Sequence, residues 1–163
     1  MTTVERTMPC PREDVAAVLS DGWLYGLWVV GATRIRAVED RWPAEGQRLH
    51  HSSGPWPLHL DDHTTVLASD LPDRIVLTAR GWPWGQARID IRLEDAPDGG
   101  TRVVMWEDVI TGVMLLVPQP LRALLLGPRQ RECLNRLEQV VLGRSGRRSP
   151  DEEDDDVEGR VHE

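Results

Sequence analysis

Between residues 34 and 110 the chain offers six strand-like segments in a row, and no link between them is long enough to hold a crossover helix. They are 34–38 (RIRAV), 47–53 (QRLHHSS), 58–68 (LHLDDHTTVLA), 74–80 (RIVLTAR), 86–94 (QARIDIRLE) and 101–110 (TRVVMWEDVI). Each alternates polar and apolar residues or runs β-branched. The turn-forming stretches WPAEG, GP, LPD, GWPWG and DGG separate them. Parallel neighbours would need a crossover of about a dozen residues or more, so successive strands are expected to run antiparallel, as a meander.

The flanks are helical. Residues 2–8 (TTVERTM) read as a first strand, stopped by Pro9-Cys10-Pro11. Pro11 suits a first helical turn because its missing N–H would be unpaired there anyway. PREDVAAVLSD then places Val15, Val18 and Leu19 at helical spacing, with Glu13 and Asp14 at the N-terminal turn, where the helix dipole favours anions. Gly22 ends this helix, and a second short one is expected over 23–28. Beyond the strands, 117–142 is helical, with Leu121, Leu124 and Leu125, then Leu134, Leu137 and Val141, read as one apolar stripe. Gly127-Pro128 predicts a kink or two abutting helices, since proline loses a backbone bond and clashes one turn back. The stripe needs a partner, and the concave face of the sheet is the available one. The expected class is therefore α+β: a curved antiparallel sheet around a long C-terminal helix, with two short helices after the first strand.

Composition excludes several alternatives. Forty per cent of the 163 residues are hydrophobic, enough for a core and against wholesale disorder. No apolar run approaches the roughly 18 residues of a membrane span. The N-terminus, MTTVERTMP, has no basic segment followed by an apolar stretch, so a cytoplasmic location is expected. Of the net charge of −8, most sits in 145–163, which is read as an acidic, disordered tail outside a 1–144 domain. The basic residues are all arginine and are interleaved with acids, which disfavours nucleic acid as a partner. Cys10 and Cys133 lack metal or disulfide spacing and are read as structural or incidental.

The order of elements, with GWLYGLWVVGATRIRAV after the first helix and GTRVVMWEDVITG before the last, resembles the START-like superfamily. Polyketide cyclases, aromatases, coenzyme Q-binding proteins, chaperone activators and birch-pollen-type allergens belong to it. The likeness is greatest to the bacterial polyketide cyclase/dehydrase and lipid transport group, and it covers about residues 1–144. It implies a helix-grip fold enclosing an apolar cavity. It implies no catalytic residue, because the superfamily has no universal catalytic signature.

Strand parity then assigns the two faces of the sheet. Ala87, Ile89, Ile91 and Leu93 face the core, as do Val103, Met105, Glu107 and Val109, and Leu49, His51 and Ser53. Leu58, Leu60, Asp62, Thr64 and Val66 complete the inner face. Three ionisable residues, His51, Asp62 and Glu107, thus fall on a face that is otherwise apolar. A buried carboxylate there needs a partner, water or a proton. Glu107 and His51 are the candidates for acid/base work or for holding a ligand's polar atom. Satisfaction of a buried backbone or Trp N–H is the structural alternative. Loop parity gathers 54–57, 81–85 and 113–120 at one end, with Trp56, Trp82, Trp84 and the aliphatics Met114, Leu115, Leu116 and Val117. That end reads as a cavity mouth, a contact surface or a plug of the core.

The expected ligand-binding residues are Trp28, His51, Trp56, Leu60, Asp62, Trp82, Trp84, Met105, Glu107, Leu121 and Leu125. The expected ligand is a small hydrophobic molecule, polyketide-, lipid- or isoprenoid-like, either bound or acted on as by a cyclase or dehydrase. The competing expectation is a protein-interaction module similar to chaperone activators, using the Trp-rich end; an exposed rim there would also suit a homodimer. No metal is expected: His59, Asp61 and His63 share a strand face, but the two histidines lie about 13 Å apart along a strand, too far to share one ion. A site recruiting His50 from the neighbouring strand is the weak remainder. No cofactor is expected either, since no phosphate-cradling loop, Ser-centred elbow or dinucleotide fingerprint is present.

Overall fold

The computed structural model describes residues 1–53, 60–81 and 85–146. Seven strands form one antiparallel sheet: β1 (Thr2–Met8), β2 (Ala32–Val38), β3 (Arg48–Ser53), β4 (Leu60–Asp70), β5 (Arg74–Gly81), β6 (Gly85–Asp95) and β7 (Thr101–Thr111). Strands β2 to β7 follow one another as a meander, and β1 pairs with the free edge of β7, giving the order β1-β7-β6-β5-β4-β3-β2. Between β1 and β2 stand α1 (Arg12–Ser20), a 3₁₀ turn (Gly22–Leu24) and α2 (Tyr25–Trp28). Asp21 links the two helices, its carboxylate accepting from the Trp23 backbone N–H at 3.1 Å. A second 3₁₀ turn (Val113–Leu116) leads into α3 (Gln119–Ser145).

Period-2 alternation places the core. Val4 and Met8 of β1, Ile75 and Leu77 of β5, Ile89, Ile91 and Leu93 of β6, and Val103 and Met105 of β7 are buried together. From the helices come Val15, Val18, Leu19, Leu134, Leu137 and Val141. The outer face is mostly polar, and a few of its residues are buried, Val76 and Asp90 opposite each other among them. Asp90, 5% exposed, takes two hydrogen bonds from Arg74 at 3.0 and 2.5 Å. Burial pushes the Asp90 carboxyl up, but the hydrogen bonds of Arg74 and Arg92 outweigh it and hold it below the usual carboxylate range.

The last helix decides one expectation and corrects another. α3 is one continuous helix that contains Pro128, so of the two alternatives, a kink or two abutting helices, the second is ruled out. The carbonyl that Pro128 cannot bond belongs to Leu124, and both residues are exposed, so solvent can satisfy it. The apolar stripe is also not single. At about 100° per residue, the 13 positions from Leu121 to Leu134 turn the chain to nearly the opposite side of the helix. Gly127, Gln130, Cys133, Leu134, Leu137 and Val141 make the buried face. Leu121, Leu124 and Leu125 stand 47%, 70% and 56% exposed. The helix packs mainly on β1, α1 and α2 rather than across the middle of the sheet. Arg6 of β1 anchors it, donating to Asn135 at 2.6 Å and to the Glu138 carboxylate.

Gly85 opens β6 with φ +124°, and a Cβ there would stand 1.8 Å from the carbonyl oxygen of Thr111. Neither the conformation nor the space admits a side chain. Gly85→Ala is expected to cost about 3 kcal/mol or more from strain and displaced backbone. Thermal unfolding would show this as a fall of several degrees; an unchanged midpoint would contradict the close β6–β7 approach.

Candidate functional site

The inner face carries a cross-strand row of small residues. Thr64 of β4 lies opposite Ala79 of β5, Ala79 opposite Ala87 of β6, and Ala87 opposite Val109 of β7. Ala79, Ala87 and Val109 are only partly buried, whereas Leu77 and Ile89 in the adjoining row are buried. The row, near the ends of β5 and β6, is therefore less fully enclosed than its neighbour, with Ala79 still packed against the core.

Polar side chains border it on both sides. On one, Tyr25 of α2 shares a 3.0 Å hydrogen bond with the Thr64 hydroxyl. The Tyr25 ring meets Trp28 edge-on, with centroids 5.3 Å apart, and tilts against His51 at 5.7 Å. His51 lies opposite Asp62 across the β3–β4 ladder, and Arg80 approaches the Asp62 carboxylate at 4.0 Å. His51, Asp62 and Thr64 are all buried. On the other side, Glu107 of β7 accepts from the Gln130 amide at 2.7 Å. Its two oxygens lie 3.4 and 3.5 Å from one guanidinium nitrogen of Arg129. Arg129 also donates to the Val30 carbonyl at 3.0 Å, and the Val30 N–H donates to the Cys133 sulfur at 3.3 Å. The segment from α2 to Val30 touches both groups, Tyr25 through its bond to Thr64 and Val30 through its carbonyl, which accepts from Arg129.

Burial sets the protonation of this neighbourhood. It pushes the Tyr25 phenol up to about 12, partly offset by the bond to Thr64, and pushes the Cys133 thiol up as well. Burial lowers His51 below 6.5, opposed by the Asp62 charge, so the imidazole is neutral at pH 7. Among the described residues, the buried atoms without a hydrogen-bond partner include Nδ1 of His51 and Oε1 of Gln130 in this neighbourhood. The histidine shift has a consequence for stability. The unfolded chain takes up a proton near 6.5 while the native state resists, so stability falls as pH drops from 7 to 5. His63, also lowered chiefly by burial, adds to it. Melting curves across that range are expected to show the slope, reduced in His51→Gln; a slope unchanged by the substitution would contradict a neutral buried His51.

The residues expected from sequence to bind a ligand are placed unevenly. His51, Asp62, Met105 and Glu107 are buried on the inner face as parity predicts, with Leu60 half-buried. Trp28 is buried in the core beside Tyr25. Trp56, Trp82 and Trp84, with Leu58 and His59, lie outside the described residues. Leu121 and Leu125 are exposed, as are Val113, Leu115, Leu116 and Leu124 nearby in the chain. Sequence reasoning misses Tyr25, Thr64, Arg129 and Gln130 as a group around the site. Gln130 is within its reach: it shares the face of Leu134, Leu137 and Val141 by its spacing alone.

Elsewhere, His50 and His63 face each other across β3–β4 with rings 6.2 Å apart. Among the described residues no group of three or more His, Cys, Asp or Glu is placed to hold a metal, and no helix is long and apolar enough to cross a membrane. An open groove of about 360 Å³ separates the end of α1 from the β2–β3 connection, with Trp23, Trp42, Asp21 and Glu39 among its walls. Two of its acids are engaged locally, Asp21 with Arg144 at 3.1 Å and Glu39 with the Arg48 backbone N–H at 2.9 Å.

No family model matches the sequence, and no curated protein matches it significantly. Solved structures do match. A Staphylococcus aureus protein of unknown function, SA2116, superposes with a TM-score of 0.70 at 10% identity, covering 89% of this chain and 94% of its own. Ara h 8.0201 does so at 0.67 and 17% identity, over 86% and 96%. A START superfamily protein from Mycobacterium smegmatis gives 0.66 and 16%, over 88% and 99%. At such identities the likeness speaks for the fold alone. With a seven-stranded antiparallel sheet, two short helices after β1 and a long C-terminal helix, this chain has the START-like, helix-grip fold.

Proposed function

We propose that the protein binds a small, largely apolar molecule against the Thr64–Ala79–Ala87–Val109 row, with the ligand's polar end among His51, Thr64 and Gln130. The partial exposure of Ala79, Ala87 and Val109 on the inner face carries this reading. In a filled core, residues on the inner face of central strands are buried, as Leu77 and Ile89 are. Here they are small and accessible, and the polar groups around them are few and convergent, the composition of a ligand site. Polyketide-, lipid- and isoprenoid-like molecules share the required shape, an apolar body with few polar atoms.

His51 and Glu107 take different roles. Both oxygens of Glu107 face Arg129 and one holds the Gln130 amide, so Glu107 orients Gln130. His51 is neutral at pH 7 with an unengaged ring nitrogen, so it is the group to move a proton if a bound chain cyclises or dehydrates. Holding such a chain folded over the alanine row would supply much of the rate.

Calorimetric titration with 2-naphthol, a neutral bicyclic probe, tests the reading. Saturable one-to-one binding is expected. No saturable heat up to the solubility limit of the probe would contradict it.

A further inference from the structure

Gln130 is fully buried on the inner face of α3, and its orientation is fixed by its neighbour. The Glu107 carboxylate, beside the Arg129 guanidinium, has only lone pairs to offer, so the amide nitrogen of Gln130 must point to it. The amide oxygen is thereby turned the other way, and it is the atom left without a partner. A buried amide oxygen in that state accepts and cannot donate. Nδ1 of His51 is also unpartnered, but an imidazole nitrogen either donates or accepts according to its tautomer. Gln130 therefore sets the requirement and His51 adapts to it.

The charges nearby narrow the class further. Arg129 is already matched by Glu107, and Asp62 adds a second carboxylate on the same face, with Arg80 4.0 Å away. A ligand carboxylate placed at Gln130 would meet an acceptor oxygen and no uncompensated cation. We infer that the ligand is neutral and carries a hydroxyl, as an alcohol or a phenol, that donates to Oε1 of Gln130. This rests on the reading that the inner face takes an apolar molecule. It adds that fatty acids and other carboxylates are excluded, and that ethers and bare hydrocarbons bind less well than hydroxylated counterparts.

The test is a ranking of four probes on the intact protein: 2-naphthol, 2-methoxynaphthalene, naphthalene and 2-naphthoate, by equilibrium dialysis. The 2-naphthol is expected to bind about tenfold tighter than naphthalene or the methyl ether, the usual worth of one buried hydrogen bond, although its hydroxyl makes it more soluble in water than naphthalene. The carboxylate is expected to bind weakest. Gln130→Met, similar in volume, is expected to bring 2-naphthol to within about twofold of naphthalene.

Equal or tighter binding of the methyl ether, naphthalene or 2-naphthoate would overturn the inference and leave the apolar site standing. A full 2-naphthol preference in folded Gln130→Met would do the same. Failure of all four probes would bring down the site and the inference together. Should Gln130→Met not fold, the wild-type ranking decides.

Discussion

Glu107→Ala is expected to lower the melting temperature by about 6–12 °C, the equivalent of about 3 kcal/mol at roughly 2–4 °C per kcal/mol for a chain this size. Glu107 is 4% exposed and satisfies two groups at once. Removing it strands the Gln130 amide and leaves Arg129 facing a cavity with its charge unmatched. Losing one partner of a buried pair costs more than the pair itself contributes, because the other partner stays desolvated. The figure is taken at the low end of that range, since the Arg129 side chain is 35% exposed and can turn toward water. Glu107→Gln is expected to cost only about 1 kcal/mol, because its amide oxygen can still accept from Gln130. Circular dichroism melts of the two variants check the pair. Equal, small losses in both would show that Glu107 supports nothing in the interior.

Ala87→Leu separates an open site from a filled core. Ala87 stands mid-row between Ala79 and Val109, and three added carbons would project into the proposed ligand position. If that space is free, the leucine occupies it, stability holds or rises, and 2-naphthol binding falls by about tenfold or more as the ligand loses its place. If the core is filled, the same substitution overpacks it and costs about 1–3 kcal/mol. Stability thus moves in opposite senses under the two accounts, and a thermal melt with one titration reads both stability and affinity. A loss of several degrees in the melting temperature would contradict the open row.

The sheet is largely legible in the sequence because its period is short and its links are too brief for anything but a meander. The inward set Val103, Met105, Glu107 and Val109 follows from alternation alone, once Arg102 and Asp108 are given to the outer face. The pairing of β1 with β7 is not legible, since no local signal says which edge of a meander a distant strand will join. The α3 stripe misleads for a different reason. Leu121, Leu124 and Leu125 are spaced as one face, and so are Leu134, Leu137 and Val141, but 13 residues is not a whole number of turns. Gln130 escapes notice because a glutamine in a leucine-rich helix looks like solvent-facing filler until its helical phase is worked out. Tyr25 and Thr64 meet only through the fold, across a separation in the chain that no pattern spans. The exposed Leu121, Leu124 and Leu125 lie off the phase of the buried face of α3, and polar replacements there, such as Leu124→Ser, should leave the melting temperature nearly unchanged.

The location of a bound probe tests the central claim most directly. In isotope-labelled protein saturated with 2-naphthol, nuclear Overhauser contacts are expected from the naphthalene protons to the methyl groups of Ala79, Ala87 and Val109, with the hydroxyl end near Gln130. Contacts confined to the exposed Leu116, Leu121 and Leu124, with none to the alanine row, would contradict it.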